Sequence, residues 1–176
     1  MVRVGNHPRS NGGLRQRLQQ HYSGRKNSSV FRKLLGGAIL RSNNPSDPCL
    51  QPGPGQGHWE HHHAPKCARC RPIEKKVSHY VSTRMRFRCV SIPDRAERNR
   101  LERALIATLA ACTICRPSPD WLGLHAYLVA VRASGLWNSQ FTDGIPLALK
   151  ELERFKVLTK FSFPQFGTCT PREDPL

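Results

Sequence analysis

The sequence predicts an α/β domain in which a small central β-sheet is flanked by helices. Three observations carry this. Val2 and Val4 open the chain with a short β-branched piece that stops at Gly5. FRCVSI, at residues 87–92, is a second run rich in β-branched and aromatic residues, and Pro93 closes it. Elsewhere apolar residues recur every three or four positions, the spacing of amphipathic helices. A length of 176 residues suits one domain, and a 38% hydrophobic fraction with 14 prolines leaves much of it to loops.

The elements follow in order. Asn6 to Gly13 is a turn-rich run of Asn, Pro, Ser and Gly. Residues 14–22 hold good helix formers, with Leu14 and Leu18 four apart on one face. Arg17 and His21 are also four apart, so they share a side of that helix beside the leucine pair. Ser28 and Ser29 cap a second helix over 30–40. Its apolar stripe of Val30, Phe31, Leu34, Leu35, Ala38 and Ile39 is wide enough for a core helix. Residues 42–66, punctuated by Pro45, Pro48, Pro52 and Pro54, read as an insertion loop.

Pro72 suits the first turn of a helix running to Arg86, with Ile73, Val77, Tyr80, Val81 and Met85 at helical spacing. Asp94 and Glu97 form a capping-box-like start for a helix over 95–111. Leu101, Ala104, Leu105 and Thr108 face inward on it, and Glu102 lies at the edge of that stripe. Trp121 to Leu124 is expected to be buried, and a short helix over 126–133 is ended by Gly135. A last amphipathic helix over 145–160 points Leu149, Leu152, Phe155 and Leu158 inward. Residues 163–176 lack periodicity and are expected to be a disordered tail.

The formal net charge is +16. It is concentrated: residues 1–41 carry nine Lys/Arg and no acidic residue, and residues 84–103 carry seven arginines. Such a field draws in polyanions, and arginine's planar fork matches phosphate oxygens. Arg9, Arg15, Arg25, Lys26, Arg32 and Lys33 are the candidate nucleic-acid contacts. DNA is the expected partner, with RNA left open. No run approaches the ~18 apolar residues of a membrane span, and the N-terminus has no apolar signal core. The expected location is cytoplasmic, with no membrane contact.

Seven cysteines without a secretion signal argue against a disulfide framework. Cys67-x-x-Cys70 follows His58, His61, His62 and His63, and Cys112-x-x-Cys115 forms a second pair. Together the four thiols are a candidate structural Zn²⁺ site. The alternative is a polar loop with incidental thiols.

Val4-Gly5, the spacing Leu14-x-x-Arg17-Leu18-x-x-His21, and Leu101-Glu102-x-x-Leu105-Ile106 together resemble the GIY-YIG nuclease domain. The resemblance covers residues 2–140; residues 141–162 then form a C-terminal helix. It implies a metal-dependent endonuclease that hydrolyses DNA phosphodiester bonds. By the same resemblance Glu102 would hold Mg²⁺, Arg17 would clamp the phosphate, and His21 would assist proton transfer. Asn138 matches a "WN" ending seen with such domains. The sequence departs from the family in two places. The strand with the first tripeptide would lie ahead of Met1, so the sheet is expected to lack it. Arg3 stands at the tyrosine of the second tripeptide. Two further functions are therefore carried: a catalytically silent nucleic-acid-binding remnant, and a zinc-stapled binding module.

Overall fold

The computed structural model describes residues 3–7, 13–24, 26–47, 50 and 70–162. In chain order these form α1 (Gly13–Tyr22), a 3-10 turn at Lys26–Ser28, α2 (Val30–Asn43), α3 (Cys70–Arg84) and α4 (Arg95–Ala111). A second 3-10 turn at Leu122–His125 precedes α5 (Val129–Ser134) and α6 (Leu149–Ser162). Among the described residues there is no β-strand, so the expected central sheet is absent and the architecture is helical.

The strand candidates fail for a physical reason. β-branched residues favour a pleated, half-buried surface, and that preference has no effect without a partner strand. Val4 belongs to no strand, and both its backbone groups are taken by a side chain. Its N–H donates to Asn138 Oδ1 at 3.0 Å, and Asn138 Nδ2 donates to its carbonyl at 2.8 Å. One carboxamide thus stands where a neighbouring strand's peptide would. At residues 87–92 no backbone–backbone hydrogen bond is made among the described residues. The Ile92 carbonyl instead accepts from the Arg98 guanidinium at 2.7 Å.

The core forms on α2. Leu35 and Ala38 are fully buried, and Val77 and Val81 of α3 join the same cluster. Trp121 and Trp137 close it from the C-terminal half. Their rings meet edge to face at 5.5 Å, Trp137 meets Phe31 at 6.0 Å, and Phe31 meets His21 at 5.7 Å. This aromatic chain runs from the core to the imidazole. Its two indole N–H groups are buried without hydrogen-bond partners. Such an orphan typically costs about 1–3 kcal/mol, here set against large apolar burial.

The helix ends follow their caps. Ser29 Oγ accepts the Arg32 N–H at 3.2 Å, which starts α2 and is worth about 1 kcal/mol. Asp94 accepts the Glu97 N–H at 2.6 Å and starts α4, whose bounds match those expected. Gly135 ends α5 at φ 71, where a Cβ would stand 2.8 Å from Pro117 Cδ.

Some expected packing is missing. Leu14 is 45% exposed. α6 begins at Leu149 rather than 145, and Leu149 is 75% exposed, so the front of that apolar stripe does not pack. Most of the expected insertion loop and all of residues 163–176 lie outside the described residues.

Arg32 corrects the charge reading. It does not extend a basic face: it is fully buried on α2 and joins three helices. One terminal nitrogen donates to the His21 and Tyr22 carbonyls at the end of α1. The other reaches the Glu74 carboxylate at 2.7 Å and Ser78 Oγ at 2.9 Å on α3. A cation at α1's C-terminus also suits the helix dipole.

Candidate active site

Residues 3–7 lie across α4 and the turn after α5. The Arg3 guanidinium donates to the Trp137 carbonyl at 2.8 Å and sits 5.3 Å above the Phe31 ring. The Asn6 N–H donates to Glu102 Oε1 at 3.0 Å, and Asn6 Nδ2 donates to Asn99 Oδ1 at 2.7 Å. Asn99 and Glu102 are three apart on α4 and so share one face. From α1, Arg17 donates to Gln20 Oε1 at 2.9 Å and to the Ser28 carbonyl at 3.1 Å. His21 Nδ1 lies 2.8 Å from Ser29 Oγ, a bond that orients the ring.

These groups act on one another electrostatically. The Arg3 pKa is lowered to about 10, first by burial and then by the neighbouring Arg17, while Glu102 works in the opposite sense. Arg3 therefore remains a cation at neutral pH. His21 is pushed down to about 4, first by burial and then by the charges of Arg3, Arg17 and Arg32. Its imidazole is neutral throughout the physiological range.

Arg17, His21 and Glu102 are thus brought together around Arg3. Of the three guanidinium groups that act on His21, Arg3 also interacts with Glu102 and Arg32 is paired with Glu74, so three cations stand against two carboxylates and the cluster is net positive. Asn138 is close by, but it is buried and its carboxamide is committed to Val4. Its observed work is to hold residues 3–7 in place.

The depressed His21 pKa sets a pH dependence. The folded pKa, about 4, lies below the ordinary 6.5. The folded state therefore binds fewer protons than the unfolded chain between those values. Stability from this group is complete above pH 6.5 and falls as the pH drops towards 4. For a half-buried ring screened by solvent the loss is about 1–2 kcal/mol. Denaturant midpoints at pH 7 and pH 4.5 should differ in wild type, and His21→Gln should remove that part of the difference. An unchanged pH dependence in the variant would refute the assignment.

Glu102 is half-buried, with Oε1 held by Asn6 and Oε2 without a hydrogen bond among the described residues. A hard anionic oxygen of this kind fits Mg²⁺, which takes one carboxylate plus waters and substrate oxygens. Among the described residues no group of three or more His, Cys, Asp or Glu side chains converges. Of the thiols, Cys112 and Cys115 are adjacent, with the Cys115 N–H donating to Cys112 Sγ at 3.2 Å. Hydrogen bonds from Cys115 hold the Cys112 thiol below its ordinary pKa. Cys67 and the Cys70 side chain lie outside the described residues, as do Arg9, Arg25 and the Lys26 side chain. Arg15 is exposed on α1, and Lys33 is half-buried on α2.

Sequence reasoning missed Asn6, Asn99 and Ser29 as parts of this site. Asn99 had one signal, its three-residue spacing from Glu102. Ser29 was read as a cap alone. Asn6 had no signal beyond turn composition.

The family model for the GIY-YIG domain matches residues 1–156, a span that reaches into α6. No curated protein and no solved structure matches the chain.

Proposed function

Because the chain belongs to the GIY-YIG domain family, a family of nucleases, we propose that it is a metal-dependent endonuclease hydrolysing DNA phosphodiester bonds. The observation that carries this reading is the meeting of Arg17, His21 and Glu102 around Arg3 in a net positive cluster. Hydrolysis needs an oriented water, a cation on the phosphate, and neutralisation of the charge that develops in the transition state. Arg17 supplies the fork for phosphate oxygens, and Arg3 adds a fixed positive charge beside it. His21 is neutral and can accept a hydrogen bond from the attacking water. With a conjugate acid near pKa 4, it orients that water rather than retaining its proton. Mg²⁺ held by Glu102 would supply Lewis-acid polarisation and a more acidic water.

A second reading is favoured by Arg3 itself. A guanidinium stands where the resemblance calls for a phenol, and arginine cannot act as a base at neutral pH. On that reading the site binds DNA without cutting it.

Plasmid nicking with Mg²⁺ and with chelator separates the two, alongside gel shifts at two salt concentrations. The expected result is chelator-sensitive nicking, with a log–log salt slope of about −0.9 per duplex phosphate neutralised. Arg17→Ala should weaken binding and cleavage together. Binding without nicking would favour the second reading, and no binding at low salt would overturn both.

A further inference from the structure

Beside the candidate active site, an open groove of about 580 Å³ runs between α4 and the segment that leads into α6. Ala96, Ala104, Ile145 and Pro146 give it apolar walls, and Phe141, Asn99, Arg100 and Arg103 give it ring, amide and cations. Nothing in the mechanism above uses it. Three observations show how it is built.

First, Phe141 has φ 64, and no other described non-glycine residue has a positive φ. An aromatic residue pays in strain for this conformation, so the surroundings must hold it there. They do: the Gly144 N–H donates to the Phe141 carbonyl at 3.3 Å, and the Leu147 N–H donates to Thr108 Oγ1 at 2.8 Å. The Ala148 N–H donates to Glu151 Oε2 at 2.8 Å, and Glu151 pairs with Arg100 across the groove.

Second, the Arg103 guanidinium lies 4.9 Å from the centre of the Phe141 ring. Arg103 is exposed and makes no ion pair among the described residues. Arg100 and Glu151 balance each other, which leaves the groove one cation in excess.

Third, Asn99 belongs to both places. It lines the groove, and its Oδ1 accepts from Asn6, whose own N–H holds Glu102. Its NH₂ makes no hydrogen bond among the described residues.

We propose that this groove is a nucleobase subsite, which takes an unpaired base from the strand whose phosphate lies at Arg17 and Glu102. Apolar lining residues and a phenylalanine ring with the Arg103 guanidinium over it suit the face of a base. The free Asn99 amide suits an acceptor on its edge. A phosphate is a poorer occupant, because Arg100 is already neutralised. A base paired within a duplex cannot enter, so the preferred substrate carries a single-stranded segment next to the cleaved bond. The inference rests on the proposed nuclease site and names the substrate class for it.

The test uses the full chain in chelator, so that nothing is cut, and three labelled DNAs. These are a blunt duplex, the same duplex with a short single-stranded tail, and that tailed duplex with abasic positions in the tail. Wild type should bind the tailed DNA about tenfold tighter than the blunt and abasic forms, the order of one stacked base. Phe141→Asn suits the positive φ and removes the ring, and Arg103→Gln removes an exposed cation. Each should abolish most of that preference and change blunt-duplex affinity by less than about twofold. Equal affinity of wild type for all three DNAs overturns the subsite and leaves the nuclease reading standing. So does an equal loss on blunt and tailed DNA in both variants. Absence of any DNA binding by wild type overturns both.

Discussion

Glu102→Gln is expected to lower Mg²⁺-dependent nicking by about 10²–10⁴-fold, the range for losing a group that acts chiefly on the transition state. The substitution is a clean one structurally. A glutamine keeps the oxygen that accepts the Asn6 N–H at 3.0 Å, so residues 3–7 should stay in place. What disappears is the negative charge, and with it the hard ligand for a divalent ion. Duplex affinity should hold or rise slightly, because the variant removes an anion from a cluster already rich in guanidinium groups. The measurements are nicking rates across a Mg²⁺ titration and a gel shift in chelator. Unchanged nicking would remove Glu102 from the mechanism. A large loss of DNA binding in chelator would show that the charge of Glu102 holds the neighbouring guanidinium groups in place instead.

The largest effect on stability is expected from Arg32→Ala, at about 3–5 kcal/mol. The cost comes from what is left behind. The Glu74 carboxylate loses its 2.7 Å partner, and the carbonyls of His21 and Tyr22 lose the donor that ends α1. The N-cap is untouched, since the Arg32 backbone N–H still reaches Ser29. Denaturant unfolding followed by helical signal measures the change. A loss under about 1 kcal/mol would mean that water replaces the guanidinium, as it does at a surface ion pair. Arg32→Lys should recover part of the loss, because a point charge meets Glu74 but lacks the fork for three helices.

How far the sequence carried each inference depended on how local its cause was. α4 was legible end to end because Asp94 and Glu97 sit within one turn of its start. α2 was legible from Ser29, and the end of α5 from Gly135. The sheet was not, because strand preference waits on a partner, and Val4 found a side chain 134 positions away. Arg32 misled for a related reason. A charge within an amphipathic segment reads as solvated, and only Glu74, 42 positions on, reverses that. Leu149 misled in the other direction, since it has the period of a packed helix but no neighbour to pack on. In the site, the Arg17–His21 spacing was legible as a helical neighbour pair, whereas Asn99, three residues from Glu102, was missed. Their meeting around Arg3 was a property of the tertiary structure alone.

The bonds that fasten residues 3–7 have a consequence in time. Arg3, Val4 and Asn6 are tied to partners 93 to 134 positions along the chain. Closing loops of that span is entropically costly until the α2–α3 core exists, so these contacts form late in folding. They are also few and partly exposed, so they open without the core coming apart. The lifetime of the assembled site is therefore shorter than the lifetime of the fold beneath it. During each opening, Glu102 loses its Asn6 partner while α4 stays whole.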